Sequence, residues 1–375
     1  MKVAIFANTP AQLHLYRHLI NDLSAHGHDI KLLLRDAGET ISVANELKID
    51  YAIYSRLHPS MTAKITQLPK AIITACNKLQ NFRPSIVVGS GIYDAFTSVL
   101  LRAPCIEFED SEPMVNKITY SVQLSVYMPF VDAVITPSSF RQDLGEKHIR
   151  IDSFKEMAYL HPNYYKPDKS IRSILGLKDN EEYVLLRFNA FDAAHDAGIR
   201  GFSDDDKIRL VKELEKYAKV FISSETGVPQ DIKDRVINFP KSKIHDVVYY
   251  AKLLVTDTQT MATESAILGT PVIRCNKFVG PTDMGNFIEL EKKYGLMFNY
   301  NNPKKAINKA IDLIQIPDIK DKWKSKRNRL LKDKIDLTSF MVWFIENYPE
   351  SFRIMKENPR YQDIFRDDGD EYSSS

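Results

Sequence analysis

The sequence predicts an α/β protein made of two Rossmann-like, doubly wound parallel-sheet domains. Three observations carry this expectation. The chain has 375 residues, the length of two ordinary domains. Near the start, the apolar run Val3–Ala7 is followed by a polar turn, a helical period and a second apolar run. In the second half, Leu253 to Arg274 reads LLVTDTQTMATESAILGTPVIR. That is a short strand, a polar turn, a helix, Gly269 as a stop, and another strand. Strand–helix–strand units of this kind build parallel sheets with helices on their faces.

The elements follow in order. Val3 to Ala7 reads as a buried parallel strand, and Asn8-Thr9-Pro10 as its turn. Gln12 to Ala25 has helical periodicity through Leu13, Tyr16, Leu19, Ile20 and Leu23, and Gly27 stops it. Ile30 to Leu34 is the next strand, and further strands are expected at Ile86–Val88, Cys105–Phe108 and Ala133–Ile135. No GxGxxG follows the first strand, which argues against a dinucleotide dehydrogenase. Ser138 to Lys169 is read as the crossing between domains, with a short strand or loop in it. The second sheet is expected to use Tyr183–Phe188, Val220–Ser223, Leu253–Val255 and Val272–Ile273. Phe340, Trp343, Phe344, Ile345 and Tyr348 form an apolar helical stripe ended by Pro349. The expected division is 1–160, 161–335, C-terminal helices over 336–366, and a disordered acidic, Ser-rich tail over 367–375.

Composition excludes several classes. The formal net charge is +2, so no bulk electrostatic partner such as nucleic acid is indicated. The three cysteines, Cys76, Cys105 and Cys275, lie far apart in apolar surroundings, which fits reduced thiols in a cytoplasmic protein. No apolar run reaches the roughly 18 residues of a transmembrane helix. Met1-Lys2 leads directly into the first strand, so no signal peptide is expected.

Candidate chemistry collects at strand ends, where ligands bind in open α/β sheets. Thr258, Gln259, Thr260 and Met261 open a helix whose free N–H groups and dipole favour an anion. Glu264, about one turn in, is placed to accept hydrogen bonds from a sugar diol. The plain alternative is an ordinary capped βα connection. Arg187 ends a strand and suits a diphosphate through bidentate contacts, or a structural ion pair. Three loops leave the first sheet: Thr9, Pro10 and His14; Gly89-Ser90-Gly91; and Glu109-Asp110-Ser111-Glu112. His14 is a candidate general base, or a histidine that packs at a helix start. Glu109 and Asp110 are acids costly to bury without a role, or caps of the next helix. His195 lies between Asp192 and Asp196, but the spacing fits no ligand pattern, so no metal site is expected. Lys320 to Lys334 is strongly basic, which reads as a solvated helix face or as a contact for anionic lipid at the membrane surface.

The Leu253–Arg274 segment resembles the nucleotide-binding segment of GT-B glycosyltransferases and of the related UDP-N-acetylglucosamine 2-epimerases. In those families a strand ends in Asp or Ser, small residues hold the diphosphate, and a helix Glu holds the ribose. Asp257, Thr258, Thr260 and Glu264 stand in those places, while Gln259-Thr260 replaces the Gly-Gly of the epimerases. A longer resemblance, from Lys2 to Tyr300, is to an uncharacterised glycosyltransferase-like family of archaeal and bacterial proteins. Pro10, His14, Gly89, Asp110, Glu112 and Asn116 match it in the first half, and Arg187, Ser224, Glu225 and His245 in the second. Glu109 also matches the acid of the epimerase pattern, whose early Arg is absent.

The resemblance implies a GT-B-like fold: two Rossmann-like domains facing a cleft, with C-terminal helices crossing back. It implies a glycosyltransferase that takes a UDP-linked nucleotide sugar, needs no cofactor or metal, and acts on a surface glycan or glycolipid. Ser224, Glu225 and His245 would hold the base or phosphates, and His14, Glu109 or Asp110 would take the acceptor's proton. A sugar-nucleotide epimerase and a non-catalytic sugar-nucleotide binder are the alternatives.

Overall fold

The computed structural model describes residues 1–57, 61–112, 124–178, 180–189, 201–224 and 227–367. Asn116, Glu225, the loop carrying Asp192, His195 and Asp196, and the tail beyond 367 lie outside the described residues. The chain divides into two compact units. Of the described residues, one holds 1–164 and 333–367; the other holds those of 165–332.

The first unit is a seven-stranded sheet: β1 (Lys2–Ala7), β2 (Asp29–Asp36), β3 (Ala52–Arg56), β4 (Ile86–Gly89), β5 (Cys105–Phe108), β6 (Ala133–Pro137) and β7 (His148–Ile151). Their order is β3-β2-β1-β4-β5-β6-β7, and every pairing is parallel. The central strands β1, β4 and β5 are apolar runs because helices cover both faces of such a sheet. The helix Pro10–Ala25 starts where Thr9 accepts a hydrogen bond from Gln12 N and Pro10 occupies the first turn. It ends before Gly27, whose φ of +82° suits glycine. The strands β3 and β7 were not expected from the sequence. Within the expected crossing segment, Met157–Leu160 is a short buried helix rather than a strand or loop.

The C-terminal helices cross back onto this unit. Ile335 N donates to Asp152 O at 2.9 Å, and Thr338 Oγ1 to Ala158 O at 2.8 Å. The helix Leu337–Glu346, capped by Asp336, buries Phe340, Met341, Phe344 and Ile345. Trp343 stacks on Tyr361 with ring centres 4.8 Å apart. The apolar stripe read from the sequence is therefore the inner face of a helix latched to the first unit.

The second unit is a five-stranded parallel sheet: β8 (Tyr183–Phe188), β9 (Lys219–Ser224), β10 (Leu253–Thr256), β11 (Val272–Cys275) and β12 (Met297–Tyr300). Its order is β12-β11-β10-β8-β9. The helix Thr260–Leu268 between β10 and β11 is buried over most of its length and ends at Gly269, whose φ is +76°. The basic segment forms the helix Ile319–Asp333. It is not simply a solvated face. Lys320 Nζ donates to Tyr249 O at 2.6 Å and Thr270 Oγ1 at 2.7 Å, Lys326 Nζ to Gly295 O at 2.7 Å, and Arg327 Nε to Ile267 O at 2.7 Å. Cations near the ends of helices Ile244–Tyr250 and Thr260–Leu268 satisfy carbonyls those helices leave open. Lys322, Lys324, Arg329 and Lys332 face solvent. No helix among the described residues is long and apolar enough to cross a membrane.

Candidate functional site

In the second unit the chain leaves β8 for β9 on one side and returns to β10 on the other. That reversal of strand order, between β8 and β10, is where open α/β sheets hold ligands. Arg187 sits at this point on β8, paired in register with Thr256 of β10. Its guanidinium is turned toward β9, where Nη1 donates to Ser223 Oγ at 2.7 Å. Ser224 ends β9 beside it, in register with Phe188.

Beyond β10 the chain makes a tight turn into the buried helix. Thr256 Oγ1 accepts from Thr258 N at 2.9 Å and meets Thr258 Oγ1 at 2.7 Å, so the Thr256 side chain folds the turn. Gln259 is the N-cap residue, and its side chain makes no capping bond. Thr260 and Met261 form the first turn, with Thr258 and Met261 nearly buried and Gln259 and Thr260 part-exposed. A helix start without a side-chain cap, at the carboxyl edge of a parallel sheet, presents backbone donors and a positive dipole end.

Asp257 works as a clip. Its Oδ1 accepts from Asn189 N at 2.7 Å, and its carbonyl accepts from Asn276 Nδ2 at 2.9 Å. Gly201 packs so closely that a Cβ there would lie 2.2 Å from Asp257 Oδ2. Asp257 thus fastens the β8, β10 and β11 loop ends to one another.

Glu264 and His245 meet. His245 Nε2 lies 3.0 Å from Glu264 Oε1, and both side chains are buried. His245 belongs to the helix Ile244–Tyr250, which packs against Thr260–Leu268. Its neighbour Asp246 accepts from Tyr165 OH at 2.8 Å and Asp168 N at 3.0 Å, and the Tyr165 ring stands edge-on to His245. Lys243 Nζ adds a bond to Asp168 at 2.6 Å. The sequence pointed to His245 and Glu264 separately. Their pairing, across 19 residues, had no local signal.

In the first unit, β1, β4 and β5 are adjacent, so the three candidate loops share one carboxyl edge at the β1/β4 reversal. Tyr16 OH donates to Gly89 O at 2.8 Å, and Ser90 Oγ donates to Phe108 O at 2.6 Å, tying the helix, the Gly89–Gly91 turn and β5 together. Gly91 has a φ of +140°, a conformation that favours glycine, and precedes the helix Ile92–Leu101. His14 is buried on the first helix, its ring 5.4 Å from that of Tyr159, with Arg17 Nη1 3.4 Å from Nδ1. Thr9 and Pro10 start that helix, with Thr9 exposed.

The acidic loop is held by hydrogen bonds. Glu109 Oε1 accepts from Asp110 N and Ser111 N, both at 2.9 Å. Asp110 pairs with Lys155 Nζ at 2.9 Å. Burial works against the charge on Lys155, but Asp110 and Glu109 more than offset it and hold its pKa above the ordinary value. Glu112 is buried, accepts from Arg141 N and faces Arg141 Nε at 3.6 Å. Lys155 and Arg141 were not singled out in the sequence, because each reaches its acid from about 30 to 45 residues away.

This architecture has known counterparts. The UDP-GlcNAc 2-epimerase from Neisseria meningitidis, bound to UDP-GlcNAc, superposes with a TM-score of 0.64 at 14% identity, covering 92% of this chain and 100% of that one. A glycosyltransferase from Streptomyces sp. SF2575, complexed with thymidine diphosphate, gives 0.57 at 13% identity, covering 91% and 99%. At such identities the likeness is one of fold, the GT-B architecture of two parallel-sheet α/β domains. In sequence, the uncharacterized protein MJ0665 of Methanocaldococcus jannaschii is 22% identical over 287 residues, 72% of this chain and 79% of that one. A family profile accounts for nearly the whole chain, residues 1–349, and this protein belongs to the family it defines, DUF354, described as protein of unknown function.

Proposed function

We propose that this protein is a glycosyltransferase that takes its sugar from a nucleoside diphosphate donor, UDP-linked by the resemblance. The observation that carries the reading is the helix start at Thr258–Met261. It has no side-chain cap, sits at the strand reversal of the second unit, and has Arg187 on the adjoining strand end. Backbone donors and a guanidinium there suit a diphosphate both as bound donor and as leaving group, so the transfer needs no metal. Glu264, steadied by His245, is the candidate ribose contact, and Ser224 is a further candidate contact for the nucleotide. In the first unit, Gly89, Ser90, Gly91 and Glu112 shape the acceptor site. His14, or an acid among Glu109 and Asp110, takes the proton of the acceptor hydroxyl as its oxygen bonds to the anomeric carbon and the diphosphate leaves. The acceptor is a surface glycan or glycolipid, placing the protein in the cytoplasm or at the inner face of the membrane.

A second reading is a UDP-N-acetylglucosamine 2-epimerase-like isomerase. The length-wide superposition with such enzymes and the acids at the first sheet's edge favour it. The absent early Arg and the Gln259-Thr260 replacement weigh against it.

Calorimetric titration with UDP, GDP, CMP and dTDP, without added metal, tests the donor site. Selective UDP binding lost in Arg187→Ala supports it; no binding to any of the four overturns it. Incubating UDP-N-acetylglucosamine alone then separates the readings. Conversion without an acceptor means an epimerase, and conversion only with an acceptor means a transferase.

A further inference from the structure

A second cluster lies in the first unit, behind the Gly89–Gly91 turn, and its three side chains are given no role above. Cys105 and Glu107 are two apart on β5, so their side chains point to the same face of the sheet. The first turn of the helix Ile92–Leu101 lays Asp94 on that face. One carboxylate oxygen of Asp94, Cys105 Sγ and one carboxylate oxygen of Glu107 lie within 4.8 Å of one another.

The burial of this cluster sets it apart from ordinary acidic patches. All three residues are 0% exposed. Both oxygens of Asp94 and both oxygens of Glu107 are buried without a hydrogen-bond partner. No Lys, Arg or His pairs with either acid among the described residues. Thr97, one turn further along the same helix, also buries a hydroxyl with no partner. Two ionised carboxylates taken out of water with no cation would cost several kcal/mol each, so without a cation burial pushes both toward the protonated form. The backbone is shaped around them, since a Cβ on Gly89 would lie 2.3 Å from Asp94 Oδ2.

We propose that Asp94, Cys105 and Glu107 form a closed binding site for a divalent transition metal, zinc in the first instance. Carboxylate and thiolate together select a borderline ion over calcium or magnesium, which prefer oxygen alone. Bond lengths of about 2.0–2.3 Å put neighbouring ligand atoms about 3.5 Å apart, so the three groups need close by little more than about 1 Å. The ion neutralises the buried acids and pins the Gly89–Gly91 turn and its helix to β5. Its role is structural, because solvent does not reach the ligands. No zinc spacing signals the site: an i, i+2 pair on a strand with a third ligand eleven residues earlier matches none of the known patterns.

The test is metal analysis of the full-length protein purified from zinc-supplemented medium and dialysed against metal-free buffer. About one zinc per chain is expected, falling at least tenfold in Glu107→Gln and in Cys105→Ser. Should those variants fail to fold, the wild type still decides. Cobalt-loaded wild type must show the near-ultraviolet thiolate-to-cobalt band. Folded wild-type protein that takes up neither zinc nor cobalt overturns the proposal and leaves the two acids sharing a proton. Equal zinc in wild type and folded Cys105→Ser also overturns it.

Discussion

Lys320→Met is expected to change how stability depends on pH. Lys320 reaches inward from the basic helix and donates to Tyr249 O and Thr270 Oγ1, at the carboxyl ends of the two helices that carry His245 and Glu264. Burial, reinforced by Arg327, lowers its pKa from 10.5 to about 7. In the unfolded chain the ammonium keeps its ordinary value. Below pH 7 both states hold the proton, and the full cost of the buried charge is present. Between the two values only the unfolded state holds it, so stability rises with pH through that window. One pKa unit corresponds to about 1.4 kcal/mol. From pH 7 to pH 9 Lys320 alone should therefore add roughly 2 kcal/mol, with about 4 kcal/mol of penalty at neutral pH before the two hydrogen bonds are counted. The methionine variant lacks this titration while filling similar space. Urea unfolding of both proteins at several values across pH 6 to 9.5 gives the difference directly. The wild type should gain on the variant as pH rises. Parallel curves would refute the reasoning, because they would mean that the ammonium keeps its hydration in the folded state.

Other outcomes follow from the same geometry. Arg187→Ala should weaken UDP binding about tenfold or more, the worth of a charge-assisted contact, with the melting temperature little changed; calorimetry reads this, and equal affinity would remove Arg187 from the donor site. Glu264→Ala should weaken nucleotide binding and also cost about 1–3 kcal/mol of stability, because it strips a buried partner from His245. Glu264→Gln, which keeps an acceptor for His245, should lose affinity with less loss of stability. An unchanged affinity in both variants would sink the ribose assignment. Gly201→Ala places a Cβ 2.2 Å from Asp257 Oδ2 and should destabilise the second unit by about 1–3 kcal/mol, measured in urea. A neutral result would show that Asp257 moves aside easily and is not the clip described above.

What the sequence disclosed, and what it withheld, divides along a physical line. Central parallel strands are buried on both faces, so β1, β4, β5, β8, β10 and β11 appear as apolar runs that can be read directly. The strands that went unread are β3, β7 and β12, and each lies at a sheet edge. Their sequences, AIYSR, HIRI and MFNY, mix polar residues among apolar ones: β3 and β12 are only partly covered, while β7 is largely buried and its His148 and Arg150 bond to Thr136 and to Phe140 O. The same line runs through the candidate site. Residues at strand ends and helix starts could be placed from local pattern, because those positions follow from the elements. Their partners could not. Asp110 finds Lys155, Glu112 finds Arg141 and His245 finds Glu264 only after the chain has folded, over separations of 19 to 45 residues. The basic helix makes the point most sharply. Eight cations in fifteen residues read as a solvated face or a contact for anionic lipid, yet Lys320, Lys326 and Arg327 spend donors on carbonyls of their own unit. Charge in a sequence shows how many donors there are, and packing decides which of them remain available to a partner. Any anionic surface that meets this helix therefore meets Lys322, Lys324, Arg329 and Lys332, and only those four should lower the affinity of anionic vesicles when neutralised.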